Sequence, residues 1–128
     1  MLSLAEQLIF ERYKRPEFAG TFEPADIVSD GINQSCGDEV RIFVQLAGES
    51  VAQMKHMTRA CAICTASADL LSERIAGASL ATLPTEDEVV AWLDIPLSPV
   101  RRKCAVLPLQ TLKRGLSSVL NRSVPDGG

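Results

Sequence analysis

The sequence predicts an α+β fold, in which a three-stranded antiparallel sheet has helices packed on one face. Three observations predict it. Residues 39–46 alternate between apolar and polar side chains, as in a strand with one buried face. The segment Ala47-Gly48-Glu49-Ser50 then supplies a turn into a further extended segment. After residue 61, apolar residues recur mostly at helical spacing, so the helices that cover the sheet follow it in the chain.

A helix precedes the sheet, and a strand is expected on each side of residues 39–46. Over residues 4–14 the apolar side chains recur at helical spacing, and Pro16 ends this helix because it cannot continue one. A short strand covers residues 26–30 and ends before Gly31. The third strand follows the turn, and its inward-facing residues are expected to be Ala52, Met54 and His56.

Two helices are expected directly after the sheet. Residues 62–77 have apolar side chains at helical spacing and end at Gly77, a residue favoured just beyond a helix C-terminus. Thr85 then caps a helix that runs to Leu93 and has acidic residues in its first turn.

The C-terminal part of the chain is expected to hold two helical segments. Pro99 starts a short helix, which Pro108 breaks before residues 109–120 continue as an amphipathic helix. Residues 123–128 are expected to be a disordered tail. Because no repeat, linker or low-complexity segment interrupts the chain, we expect residues 1–128 to form a single domain.

Composition is that of an ordinary globular protein, with 46% apolar and 23% charged residues. No apolar run approaches the roughly 18 residues that a membrane span needs. The N-terminal segment has no basic region and carries acids at Glu6 and Glu11, which argues against a presequence. We therefore expect a cytoplasmic protein that does not associate with membranes.

Charge is distributed unevenly along the chain. Residues 1–100 carry 7 Lys and Arg against 15 Asp and Glu, whereas residues 101–128 carry 6 against 1. The basic C-terminal segment either complements the acidic body or steers an acidic partner. Nucleic-acid binding is not favoured, because no aromatic residues are interleaved with the basic cluster.

Four cysteines, Cys36, Cys61, Cys64 and Cys104, are expected to be reduced thiols that bind metal, react or are simply buried. Cys36 lies in a turn before a strand, Cys61 begins a long helix, and Cys104 lies in the short helix before a proline. Thiols at three such element boundaries can converge at one end of the sheet, as a metal site requires. Each cysteine taken singly is better explained as a small buried apolar residue than as a ligand.

The residues around these cysteines suit a soft metal ion or an iron–sulfur cluster, both of which bind thiolates. A thiolate at Cys61 would be stabilised by the dipole of its helix. Gly37 leaves room for an ion beside Cys36. Asp38 offers an oxygen as a fourth ligand, which iron holds more loosely than sulfur and which suits a site that must release its cargo.

Three segments carry motifs in a fixed order. Residues 33–38 read Asn-Gln-Ser-Cys-Gly-Asp, residues 61–68 read Cys-Ala-Ile-Cys-Thr-Ala-Ser-Ala, and residues 102–107 read Arg-Lys-Cys-Ala-Val-Leu. They resemble the three cysteine motifs of the U-type iron–sulfur cluster assembly scaffold family, which includes IscU, SufU and the N-terminal domain of NifU. The first two of these motifs in the family are Asn-Pro-x-Cys-Gly-Asp and Gly-Cys-Ala-Ile-Ser-x-Ala-Ser-Ala. The likeness runs from about Leu8 to Leu120.

The resemblance implies that Cys36, Cys61 and Cys104 hold a [2Fe–2S] or nascent iron–sulfur cluster, or Zn²⁺ in its absence, with Asp38 as a conditional fourth ligand. It also makes each of these thiols a candidate persulfide acceptor. Members of the family are scaffolds that receive sulfur from a cysteine desulfurase and pass the cluster to iron–sulfur acceptor proteins. The implied fold is the SufE/IscU-like α+β fold, in agreement with the strand and helix pattern.

Departures from the family motifs leave the subfamily open. Lys103 stands where one branch has a histidine, which is a SufU-like feature, whereas the interval from Cys61 to Cys104 lacks the SufU insertion and is IscU-like. Ala60 replaces a glycine before the second cysteine, which should stiffen that loop. Residues 97–101 partly resemble the segment that Hsp70-type chaperones recognise in IscU, so such a chaperone is a further candidate partner.

Three residues near the motifs each have two interpretations. Cys64 forms a Cys-x-x-Cys with Cys61, but no βαβ unit surrounds it, so we expect it to face its own helix rather than to bind metal. His56 is expected in the core or on the sheet rather than as a ligand. Lys103 either acts on Cys104, by lowering its pKa or by contacting a persulfide, or is an exposed helix charge.

Three functions therefore stay open at this point. The chain is a scaffold that assembles and transfers a cluster, or a zinc-dependent sulfurtransferase of the SufU type, or a structural zinc module. The last would lose its fold when the metal is removed.

Overall fold

The computed structural model describes residues 2–123, with side-chain surroundings given up to residue 120. Within this range it contains a three-stranded sheet and four α-helices. In chain order the elements are α1 (Leu4–Lys14), β1 (Ile27–Asn33), β2 (Asp38–Ala47), β3 (Ser50–Arg59), α2 (Ala62–Ile75), a short 3₁₀ helix (Leu80–Thr82), α3 (Glu86–Leu93) and α4 (Pro99–Ser123). Residues 124–128, most of the predicted tail, lie outside the described residues.

The sheet is an antiparallel meander in the order β1-β2-β3, and one of its faces is covered. On β2 the side chains of Val40, Ile42 and Val44 are buried, while the residues between them are exposed or half-buried. Helices α2 and α4 pack against the sheet on this buried side, and α1 and α3 pack against those helices. The predicted α+β architecture is confirmed.

A β-bulge near the hairpin shifts the pattern of β3. Gln45 pairs with Gln53 but Leu46 pairs with Val51, so Ala52 is an extra residue with no partner on β2. Val51 therefore points into the core and Ala52 is exposed. The expectation that Ala52 faces inward is wrong, because it assumed a strict alternation of side chains, which the bulge interrupts.

Strand β1 continues past the glycine at which it was predicted to end. Gly31 pairs with Val40, and the strand runs on to Asn33. A Cβ on Gly31 would lie 1.9 Å from Oγ1 of Thr111, so the absence of a side chain lets α4 lie against the strand. Here glycine marks a close approach between two elements rather than a turn.

Helix α4 also runs through the proline that was predicted to break it. Pro108 has no N–H to donate to the carbonyl of Cys104, which costs one helical hydrogen bond. The helix continues because six consecutive residues, 104–109, are buried, and α4 packs against β1, β2, α2 and α3. Cys104 consequently lies inside a long helix, and its predicted place at an element boundary is wrong.

The other helix boundaries follow their local signals. Helix α1 begins after Ser3, whose side chain forms a capping box with Glu6, and α3 begins after Thr85 with the same arrangement to Glu88. Helix α2 ends at Ile75, two residues before a glycine with a φ of +84°. The bounds predicted for α1 are confirmed.

A buried ionic network ties the N-terminal segment to the sheet. Asp69 of α2 is fully buried and accepts hydrogen bonds from Arg12 at 2.9 Å and from the ring of His56 at 3.0 Å. It also accepts from the backbone N–H groups of Glu17 and Phe18, at 3.1 and 2.8 Å. His56 is only 1% exposed, so its predicted role in the core is confirmed.

None of the helices between residue 2 and residue 123 combines the length and the apolar character that crossing a membrane would need.

Candidate metal centre

Ligand atoms from two distant segments meet at the end of the sheet where β1 turns into β2. The sulfurs of Cys36 and Cys104 and a carboxylate oxygen of Asp38 all lie within 4.8 Å of one another. Cys36 is exposed, whereas Asp38 and Cys104 are each 1% exposed. Two members of the group, Asp38 and Cys104, are therefore buried, and Cys36 is at the surface.

The loop that carries Cys36 is shaped by the residue at the end of β1. The carbonyl of Asn33 accepts hydrogen bonds from the N–H groups of Cys36, at 3.3 Å, and Gly37, at 2.8 Å. Gly37 has a φ of +72°, and a Cβ placed on it would meet no atom within 4 Å. Glycine is thus required here by the left-handed backbone rather than by lack of space.

Asp38 begins β2, and both of its carboxylate oxygens have a donor. Oδ1 accepts from the backbone N–H of Cys61 at 3.1 Å. Oδ2 accepts from the side-chain amide of Asn33 at 3.4 Å. A buried carboxylate needs such donors, because removing it from water without replacing its hydrogen bonds costs free energy.

Cys104 reaches the site from the second turn of α4. Its sulfur is 3.7 Å from the carbonyl of Val100 and 3.8 Å from Nδ2 of Asn33. Burial raises the pKa of the Cys104 thiol, and hydrogen bonds with Asp38 and Cys36 raise it further. The Cys104 thiol is therefore protonated at neutral pH, and a metal that binds this sulfur would displace a proton.

Lys103 does not lower the pKa of its neighbour. The side chain is exposed, and the pKa of Cys104 is shifted upward rather than downward. Of the two interpretations offered by the sequence, the exposed helix charge is the one that the structure supports.

Cys61 lies at the N-terminus of α2, as predicted, where it is the N-cap residue. Its sulfur accepts a hydrogen bond from the backbone N–H of Cys64 at 3.5 Å. The Cys61 sulfur is outside the set of ligand atoms that lie within 4.8 Å of one another. Its backbone nevertheless donates a hydrogen bond to Asp38, so the residue borders the site.

Cys64 belongs to the core rather than to this group. It has no exposed surface, and burial raises the pKa of its thiol. A buried, protonated sulfur of this kind behaves as a small apolar side chain. The expectation that Cys64 faces its own helix agrees with this position.

Asn33 is the residue at this site whose contribution was not inferred from the sequence. It is the first residue of the first motif, whose residue types predict no ligand at this position. The available signal was its position, since an asparagine at the end of a strand before a tight loop often fixes that loop through hydrogen bonds. Its contact with Cys104, 71 residues away, follows only from the packing of α4.

Relatives of known name match nearly the whole chain. The iron-sulfur cluster assembly scaffold protein IscU of Thermotoga maritima is 29% identical over 88% of this chain and 92% of its own length. The zinc-dependent sulfurtransferase SufU of Bacillus subtilis is 27% identical, with 90% of each chain covered.

Solved structures share the fold. The crystal structure of FiSufU from Fervidobacterium islandicum AW-1 superimposes with a TM-score of 0.73 at 29% identity, covering 86% of this chain and 94% of that one. A nitrogen-fixing NifU-like protein from Brucella abortus, at 18% identity, has a TM-score of 0.71 and supports the fold alone. The family model of the NifU-like N terminal domain matches residues 4–125. The chain therefore belongs to the NifU-like N-terminal domain family.

Proposed function

We propose that this protein is a scaffold for iron–sulfur cluster assembly, which holds iron, zinc or a nascent cluster on Cys36, Cys61, Cys104 and Asp38. The observation that carries the proposal is the meeting of two thiols and a carboxylate within 4.8 Å at one end of the sheet. Two relatives of 27–29% identity, named as a scaffold and a sulfurtransferase, support the same chemistry.

The donor set fits a cargo that must be released. Thiolate sulfur binds iron and zinc strongly, whereas a single carboxylate adds a harder and more exchangeable ligand. Each Asp38 oxygen accepts one hydrogen bond and keeps a second lone pair, so a metal could bind the carboxylate while these hydrogen bonds hold it in place. Cys61 completes the set in this proposal by turning its sulfur away from the N–H of Cys64.

Sulfur delivery in this proposal begins at the exposed side of the site. Cys36 is the most accessible of the three thiols and Cys104 the least. The thiolate of Cys36 attacks the terminal sulfur of a persulfide on a cysteine desulfurase. The old S–S bond breaks, the desulfurase cysteine leaves as a thiolate, and a new S–S bond forms on Cys36. Acceptor proteins would take the finished cluster from the same open side.

Anaerobic reconstitution tests the scaffold function. Protein purified without oxygen is incubated with ferrous iron, cysteine, a desulfurase and a dithiol reductant, which reduces persulfide sulfur to sulfide and is itself oxidised to a disulfide. The iron, acid-labile sulfide and visible absorption of the protein are then measured. We expect iron and sulfide in equal amounts, and their loss in the Cys36→Ser, Cys61→Ser and Cys104→Ser variants. Cys64→Ser is the matched control and should keep its cluster, because the residue lies in the core. A triple variant of the three ligands that retains full occupancy would refute the proposal.

The second candidate is a zinc-dependent sulfurtransferase, favoured by the likeness to SufU over 90% of both chains. In that case the protein is a persulfide carrier with turnover rather than a cluster scaffold. The measurement is desulfurase turnover with the zinc-loaded protein added. A large stimulation together with no cluster retention favours this candidate over the scaffold.

A further inference from the structure

Asn33 contacts three of the four candidate ligands. Its carbonyl binds the loop of Cys36, and its side-chain amide lies next to both Asp38 and Cys104. We propose that Asn33 is the positioning residue of the metal centre, which orders the ligands and controls which oxygen of Asp38 a metal can take. The inference rests on the proposed function, because it concerns the same site.

The backbone of Asn33 fixes where Cys36 stands. Asn33 and Asp38 are the last pair of the β1–β2 ladder, so the four residues between them form the loop. The carbonyl of Asn33 accepts hydrogen bonds from the N–H groups of Cys36 and Gly37, and these two bonds close the loop. These bonds use the main chain alone and survive any replacement of the Asn33 side chain.

The side chain of Asn33 does a separate task. A carboxamide has two N–H donors, so one group can serve two acceptors at once. Nδ2 lies 3.4 Å from Oδ2 of Asp38 and 3.8 Å from the sulfur of Cys104. The amide thereby orients a hard and a soft ligand that come from different elements, β2 and α4. Groups that hold metal ligands in this way raise metal affinity, typically by about 10–100-fold.

The two hydrogen bonds to Asp38 differ in length. Oδ1 is held at 3.1 Å by the N–H of Cys61, whereas Oδ2 is held at 3.4 Å by Asn33. The longer bond is the weaker one, since hydrogen bonds lose strength beyond about 3.2 Å. Oδ2 would therefore be the oxygen offered to a metal, through its second lone pair and with the Asn33 amide still holding it, while Oδ1 would stay bound to the start of α2. The other N–H of the amide would remain a donor to the Cys104 sulfur.

Metal affinity of the reduced, metal-free protein tests this role. Zinc binding is measured by competition with a chromophoric chelator, and the site is also loaded with Co²⁺ to record its absorption spectrum. Asn33→Ala removes both side-chain bonds, and Asn33→Asp keeps the shape but places a second carboxylate beside Asp38. The matched controls are Gln34→Ala and Gln34→Glu, at the exposed neighbouring position.

We expect Asn33→Ala to bind zinc about 10–100-fold more weakly, and both Asn33 variants to give an altered Co²⁺ spectrum at an unchanged circular dichroism spectrum. Asn33→Asp should not lose as much affinity, because its added carboxylate attracts the cation. The Gln34 variants should stay within about twofold of the parent protein. Equal affinity and an identical Co²⁺ spectrum in Asn33→Ala would overturn the inference. Loss of affinity together with loss of folded structure in both Asn33 variants would also overturn it, because the effect would then be structural.

The same series separates this inference from the proposed function. If the parent protein binds zinc through Cys36, Cys61 and Cys104 while Asn33→Ala binds equally well, only the positioning role fails. If the parent protein binds neither Zn²⁺ nor Co²⁺, the site itself is wrong and both proposals fail.

Discussion

The backbone N–H of Cys61 donates a hydrogen bond of 3.1 Å to Oδ1 of Asp38, which joins the first residue of β2 to the N-cap of α2. Two candidate ligands, 23 residues apart, are thereby linked without any metal. Whatever moves the Asp38 carboxylate must therefore also act on the start of α2. A metal that binds Asp38 is thus coupled to the helix whose first turn carries Cys61.

Replacing Asp38 by asparagine should weaken metal binding while keeping the fold. The new carboxamide would keep one carbonyl oxygen for the N–H of Cys61, but the negative charge would be lost. We expect zinc affinity to fall at least about tenfold, which is about 1.4 kcal/mol. Chelator competition measures it, with Glu39→Gln as a control for loss of one exposed charge nearby. Unchanged affinity in Asp38→Asn would remove Asp38 from the ligand set.

The four thiols should react in the order of their exposure. Cys36 is exposed and Cys61 half-buried, whereas Cys64 and Cys104 are buried and have raised pKa values. Cys64 and Cys104 should react slowly, because burial hinders access and a raised pKa lowers the fraction of thiolate, which is the reactive form. Timed alkylation of the metal-free protein with iodoacetamide, followed by peptide mass spectrometry, gives the order. Labelling of Cys64 as fast as Cys36 in folded protein would contradict the structure.

Asp69→Asn should be strongly destabilising. The substitution removes the negative charge and leaves one acceptor oxygen, so an NH2 group must face either the guanidinium of Arg12 or the ring of His56, which contact different oxygens of Asp69. Breaking such a pair costs about 3 kcal/mol of unfolding free energy, which urea denaturation at pH 7 would measure. Glu73→Gln is the matched control, because Glu73 also binds Arg12 but its side chain is 42% exposed. We expect it to cost less than about 1 kcal/mol.

The unfolding free energies of the parent protein and of Asp69→Asn should become similar in acid. Burial tends to raise the pKa of Asp69, but hydrogen bonds from His56, Phe18 and Glu17 outweigh it, and the pKa is lowered. A lowered pKa in the folded state means that the stabilisation is fully present above the unfolded value of about 3.9. It is lost as the pH falls through the folded value. The difference in unfolding free energy between the parent and Asp69→Asn should shrink below about pH 4; a constant difference would contradict this.

Gly115→Ala should destabilise the protein although alanine is the better helix former. A Cβ at this position of α4 would lie 2.7 Å from Cβ of Ser29 and 2.8 Å from Cγ2 of Ile27. The helix propensity gain of about 1 kcal/mol is smaller than the cost of forcing α4 away from β1. We expect a net loss of about 1–2 kcal/mol in thermal or urea unfolding. Ser118→Ala, on the exposed face of α4, should be neutral or slightly stabilising.

Local signals in the sequence predicted the elements that local forces control. The alternation over residues 39–46 indicated a strand because a sheet buries every second side chain. The start of α3 after Thr85 followed from capping, which involves residues only three apart, and the helix after Cys61 followed from apolar side chains at helical spacing. The three motifs also indicated the family, since their order and spacing are properties of the chain itself.

Long-range packing decided the features that the sequence predicted wrongly or did not predict. Strand β1 continues through Gly31 and helix α4 continues through Pro108. Both follow from the packing of α4 against β1 at Gly31, which has no side chain. That packing also buries Cys104 and brings it to Asn33, across 71 residues of sequence. The sequence by itself thus determined which residues are the candidates to carry the chemistry, since residue type and spacing are local. Only the tertiary structure decided which of them meet, because burial and contact depend on elements that are distant in the chain.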